Sequence, residues 1–125
     1  MKRIIATTNA PGAVGPYSQA VEANGFLFIS GQIPLIPGTT DIPEGITAQT
    51  RQVMENIGGI LRAAGYDYAD VLKCTCLLSD MENFKAMNEV YGTYFPANPP
   101  ARAAFGVVKL PLGVLVEIEA IASKE

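Results

Sequence analysis

The sequence predicts one small α+β domain spanning residues 1–125, a mixed sheet with two helices packed on one face. A chain of 125 residues, 49% of them hydrophobic, can bury one core and is too short for two ordinary domains. Apolar residues recur at helical spacing in two segments and alternate at strand spacing in several others. The order is β-β-β-α-β-α-β-β, which two right-handed crossovers satisfy with both helices on the same side of the sheet.

Residues 2–7 read as the first strand, stopped by Asn9-Ala10-Pro11-Gly12. Residues 17–23 and 26–30 flank Asn24-Gly25, the dipeptide that best closes a two-residue hairpin. Residues 34–45 are rich in proline and glycine and read as a long loop. A helix is predicted over 46–64, with Ile46, Val53, Ile57, Ile60, Leu61 and Ala64 on its buried side. Gln49, Arg51, Gln52, Glu55 and Arg62 fall on the exposed side, and Gly65 supplies the stop. The Gly58-Gly59 pair weakens the middle of this helix and marks close packing.

Residues 71–78 read as a strand with Leu72, Cys74, Cys76 and Leu78 on one side and Val71, Lys73, Thr75 and Leu77 on the other. Both sides are partly apolar, which predicts cover on both faces, one by helices and one by another subunit. Ser79 with Glu82, or Asp80 alone, caps a second helix whose buried stripe is Met81, Phe84, Met87, Val90, Tyr91 and Tyr94. That helix must end before Pro96. Residues 101–108 and 114–122 complete the sheet around the turn Pro111-Leu112-Gly113.

Composition narrows the function. A net charge of -3 and scattered Lys and Arg argue against nucleic-acid binding and against a polybasic membrane anchor. The N-terminal apolar stretch is too short for a signal peptide or a membrane span, so the cytoplasm is expected. Charged residues make up only 17%, which favours a homo-oligomer that hides apolar faces. The chain has no histidine, which removes Ser-His-Asp and Cys-His catalysis. Cys74 and Cys76 would share one face of a strand yet lie too far apart for a relaxed disulfide, and they form at most half a metal site; two reduced core thiols are expected, with no metal.

The charges embedded in apolar strands hold the remaining chemistry. Arg102 follows Pro99-Pro100-Ala101 and precedes Ala103-Ala104-Phe105, a setting that would partly desolvate its guanidinium. Its planar fork suits a bidentate carboxylate ligand, and a structural salt bridge to Glu117 or Glu119 fits equally well. Glu117 and Glu119 share one face of the last strand, opposite Val116, Ile118 and Ala120. Either both meet solvent or pair with Lys73 or Lys109, or one serves as a general base for water. Tyr17 begins a strand, and Gly31 in Ser30-Gly31-Gln32 permits close approach to the backbone.

Taken in order, Asn9-Ala10-Pro11, Gly15-Pro16-Tyr17-Ser18-Gln19-Ala20, Ser30-Gly31-Gln32-Ile33-Pro34 and the run from Gln49 to Ile57 resemble the RidA/YjgF family of reactive-intermediate deaminases. Asn88-Glu89-Val90-Tyr91, Pro100-Ala101-Arg102 and the run from Val116 to Ala122 extend the resemblance across the chain. Some relatives carry an endoribonuclease L-PSP label. The resemblance implies a chorismate-mutase-like fold and a homotrimer with sites in the clefts between subunits. It implies hydrolysis of 2-iminobutanoate or 2-iminopropanoate to the 2-keto acid and ammonia, without cofactor or metal. The alternative is a non-catalytic protein that binds small carboxylates in the same cleft. Arg102 would grip the substrate carboxylate and Glu117 would activate water, with Tyr17, Ser30, Gly31 and Asn88 lining the pocket. Where active members commonly have a cysteine, this chain has Ala104, and a role through the backbone carbonyl there needs no thiol.

Overall fold

The computed structural model describes residues 1–124. Six strands form one mixed sheet: β1 (Arg3–Ile5), β2 (Ala20–Ala23), β3 (Phe26–Gln32), β4 (Val71–Leu78), β5 (Ala101–Gly106) and β6 (Val116–Ser123). Two helices, α1 (Ile46–Ala64) and α2 (Phe84–Thr93), complete the expected order. The strands lie as β1-β2-β3-β6-β4-β5, all neighbours antiparallel except β4 and β5. β1 and β5 are therefore the edges. Asn24 (φ 54°) and Gly25 (φ 79°) both take positive φ, as the β2–β3 hairpin requires.

Register decides which side chains meet. Cys74 pairs with Ala120, Cys76 with Ile118 and Leu78 with Val116, all of them buried. These residues join Leu27 and Ile29 of β3 in one core with Val53, Ile57, Ile60 and Leu61 of α1 and Met87 and Tyr91 of α2. Both helices thus cover one face. The alternate residues, among them Phe28, Thr75, Leu77, Phe105, Glu117, Glu119 and Ile121, line the other face, against which no helix packs among the described residues. Phe28 and Phe105 are each at least half exposed there.

Several local expectations change. A register shift between Val71 and Lys73 bulges β4, so Val71 turns into the core and Leu72 turns out. Strict alternation had assigned them the opposite way. Gln49, placed on the exposed side of α1, is buried: its Nε2 donates to the Pro43 carbonyl, and its Oε1 accepts from the Leu115 N–H. It ties the long loop and the approach to β6 onto the helix. Asn56 does the same by donating to the carbonyls of Ile33 and Leu35.

Asp80 is the cap that forms, accepting from the Glu82 N–H at the start of a single 3-10 turn before α2. Met81 stays exposed instead of joining the buried stripe. The glycine pair in α1 is used for close packing. A Cβ on Gly59 would run into the Asn9 backbone carbonyl, and one on Gly58 into the Tyr68 hydroxyl.

Candidate active site

Glu117 stands on the bare face in a cleft of about 640 Å³ that also takes in Val14, Tyr17, Ser30, Gly31, Ile33, Pro111, Leu112 and Glu119. One extra residue in β3, between its pairings at Ile29 and Gln32, bulges the strand at Ser30-Gly31, next to the carboxylates. The bulge brings the Gly31 backbone so close to Glu117 that any Cβ there would overlap the carboxylate. The close approach expected at Gly31 is thus made by Glu117 itself.

The Ser30 hydroxyl donates to the Ser18 carbonyl at 2.6 Å, and the Ser30 N–H donates to the Gln19 carbonyl at 3.0 Å. With its proton engaged, the hydroxyl has only acceptor capacity left to offer the cleft. Tyr17 lies ahead of β2, in an exposed loop rather than a strand. Burial, and then repulsion by Glu119, push the Glu117 carboxyl above the ordinary carboxylate range. A proton acceptor of raised affinity in a mainly apolar cleft is a general-base arrangement.

Arg102 lies elsewhere. It pairs in register with Cys74, so its side chain rises on the helix face. There Nη1 donates to Asn88 Oδ1 at 2.5 Å, and the guanidinium carbon sits 5.3 Å from the Phe84 ring centre and 5.1 Å from that of Tyr91. Ala104, paired with Cys76, follows it on the same face. The salt bridge to Glu117 or Glu119 does not form, because the sheet separates them; Arg3–Glu22 is the one ion pair among the described residues. The guanidinium is also exposed in the single chain rather than desolvated, since β5 is an edge strand.

The candidate site residues therefore fall into two groups on opposite faces of the sheet. Arg102, Asn88 and Ala104 occupy the helix face at one edge, and Glu117, Tyr17, Ser30 and Gly31 occupy the opposite face. Phe84 and Tyr91, which the sequence marks only as buried stripe, lie with the first group, under the Arg102 guanidinium. Their spacing with Asn88 (84, 88, 91) gives the helical stripe that could have revealed it.

Cys74 and Cys76 are free and buried. Burial raises both thiols, Cys76 to about 12, which leaves them protonated and poorly nucleophilic. Among the described residues no group of three or more His, Cys, Asp or Glu side chains is placed to hold a metal, and no helix is long and apolar enough to cross a membrane.

A mixed six-stranded sheet backed on one face by two helices, with a carboxylate cleft on its bare face, sets the structural class: an α+β domain of the Rid type. The chain belongs to the RidA/YjgF family, and the family profile described as endoribonuclease L-PSP matches residues 7–124. It is 58% identical over 126 residues to a RutC family protein of Pyrococcus horikoshii, covering 100% of both chains. It is 49% identical over 123 residues to the 2-iminobutanoate/2-iminopropanoate deaminase of Mus musculus, covering 98% of this chain and 91% of that one. Among solved structures, E. coli TdcF with bound serine matches with a TM-score of 0.95 at 42% identity, over 98% of this chain and 99% of that one. A putative endoribonuclease of Thermotoga maritima matches with a TM-score of 0.97 at 47% identity, over 100% and 99%.

Proposed function

We propose that this protein hydrolyses small 2-imino acids to 2-keto acids and ammonia, in clefts where one copy presents Arg102 and its neighbour presents Glu117. The observation that carries this reading is the separation of the two groups by the sheet. An anchor for a carboxylate and a base for water are both present, and only a second copy brings them together. The bare apolar face, with Phe28, Phe105 and Ile121, supplies the surface for that association, and a homotrimer closes it. The deaminase name borne by the mouse relative supports the chemistry.

The substrate arrives as a protonated imine, so its carbon is already electrophilic and modest assistance suffices. Arg102 holds the carboxylate with its fork. Glu117 accepts a proton from water as the oxygen bonds to the imine carbon, giving a carbinolamine. Returning that proton to nitrogen lets ammonia leave as the C–N bond breaks and the carbonyl forms; the released proton stays with ammonia as ammonium. The reaction needs no oxidant, metal or organic cofactor. Ala104 fits this scheme, because no step calls for a sulfur nucleophile.

The test is a threonine dehydratase reaction trapped with semicarbazide. Added protein diverts the imine to the slower-reacting keto acid and lowers the initial rate of semicarbazone formation; equal effects of the wild type and Arg102→Ala refute the reading. A binder without turnover would show saturable keto-acid binding and leave that rate unchanged.

A further inference from the structure

Arg102 stands on an edge strand, exposed, on a long stem that samples many rotamers when free. Proteins commonly fix such an arginine with a carboxylate, which consumes two donors and cancels the charge. Among the described residues Arg102 has no such partner, and the one ion pair is Arg3–Glu22. Its guanidinium instead lies over two ring faces, Phe84 at 5.3 Å and Tyr91 at 5.1 Å, and donates one hydrogen bond to the neutral Asn88.

We infer that Phe84 and Tyr91 are positioning residues that hold Arg102 by their ring faces, keeping its charge and remaining donors available to a substrate carboxylate. This rests on the reading of Arg102 as the carboxylate anchor. Aromatic faces attract a cation through the ring quadrupole and contribute no countercharge. One donor is spent on Asn88, and the other N–H groups of the fork stay free for bidentate binding.

The platform is built into the core. The Tyr91 ring centre lies 5.0 Å from that of Phe95, and its buried hydroxyl lies against Cys74 in the same core. Phe84 opens α2 directly after the turn capped by Asp80, and it packs against the same core. Residues 84, 88 and 91 thus form one stripe of α2 aimed at the β5 edge. Core packing is transmitted to the guanidinium without a salt bridge.

The test is calorimetric binding of 2-oxobutanoate to Phe84→Leu, Tyr91→Leu, Tyr91→Phe and Arg102→Ala, with a thermal melt of each. Each leucine variant is expected to weaken binding about threefold to thirtyfold, the range a cation–π contact contributes. Tyr91→Phe keeps the ring and binds within about twofold of wild type. In folded protein the Arg102 Nε–H resonance sharpens on either leucine substitution, reporting a freed side chain. If Tyr91→Leu does not fold, Phe84→Leu alone decides. Wild-type binding by folded leucine variants, alongside loss in Arg102→Ala, overturns the inference and leaves the anchor intact. Wild-type binding by Arg102→Ala overturns the anchor itself.

Discussion

Gly31→Ala separates catalysis from folding at a single atom. The added methyl would overlap Glu117 Oε2 and press on its Cδ at 3.1 Å and its Cγ at 3.3 Å. The first of these is the free end of a flexible side chain, so the carboxylate swings aside and the backbone keeps its place. An off-rotamer adjustment of that size costs about 0.5–1.5 kcal/mol, a few degrees in Tm. The chemical cost is larger, since a displaced general base forfeits a contribution of about 10²–10⁴-fold. With Arg102 untouched on the other face, the expected result is a kcat reduced by roughly 10²-fold or more with KM little changed. Imine hydrolysis is followed by coupled keto-acid reduction, and stability by thermal melts. A cycle with Glu117→Ala completes the experiment: once the carboxylate is gone, Gly31→Ala has nothing left to displace and costs little more. Independent, multiplying losses in the double variant would refute the reasoning.

Three further outcomes follow from the geometry. Glu119→Gln removes the smaller of the two causes that raise Glu117, so the acid limb of the pH–kcat profile moves to lower pH yet stays above the ordinary carboxylate range, because burial remains; an unmoved limb contradicts this. A carboxyl whose pKa is raised on folding binds its proton more tightly in the native state. Its contribution to stability is therefore present at low pH and lost as pH rises through the folded pKa, so Glu117→Gln flattens the decline of Tm with pH over that window. Gly59→Ala meets the Asn9 backbone carbonyl, which has no free end to yield, and the overpacking cost of about 1–3 kcal/mol exceeds the helix-propensity gain of about 1 kcal/mol. A lower Tm is expected, and an unchanged or higher one argues against close packing at this crossing.

The elements legible in the sequence are those fixed by local chemistry. α1 followed from apolar spacing and a glycine stop, and the β2–β3 hairpin from Asn24-Gly25, because helix period and turn type depend on neighbours a few residues away. The bulge at Leu72 was not legible, since it arises from pairing with β6, far along the chain. Gln49 reads as a solvent residue because side-chain polarity alone does not reveal a buried backbone group that needs a partner. Glu117 could be assigned to the face opposite Ile118 by alternation. Setting Arg102 on the other face required the β4–β5 register, a long-range fact that places Arg102 beside Cys74. The aromatic platform under Arg102 was half legible: the 84, 88, 91 stripe was present, but its apolar members read as core.

The claim most exposed to test is that each site is shared between copies. Arg102→Ala and Glu117→Gln are purified separately, confirmed inactive, then dissociated together in mild denaturant and reassembled as mixed oligomers. If Arg102 of one copy works with Glu117 of its neighbour, random mixing at equal ratio rebuilds intact sites at about a quarter of the interfaces, with activity to match. Mixed oligomers that form but stay as inactive as either parent would contradict the shared site.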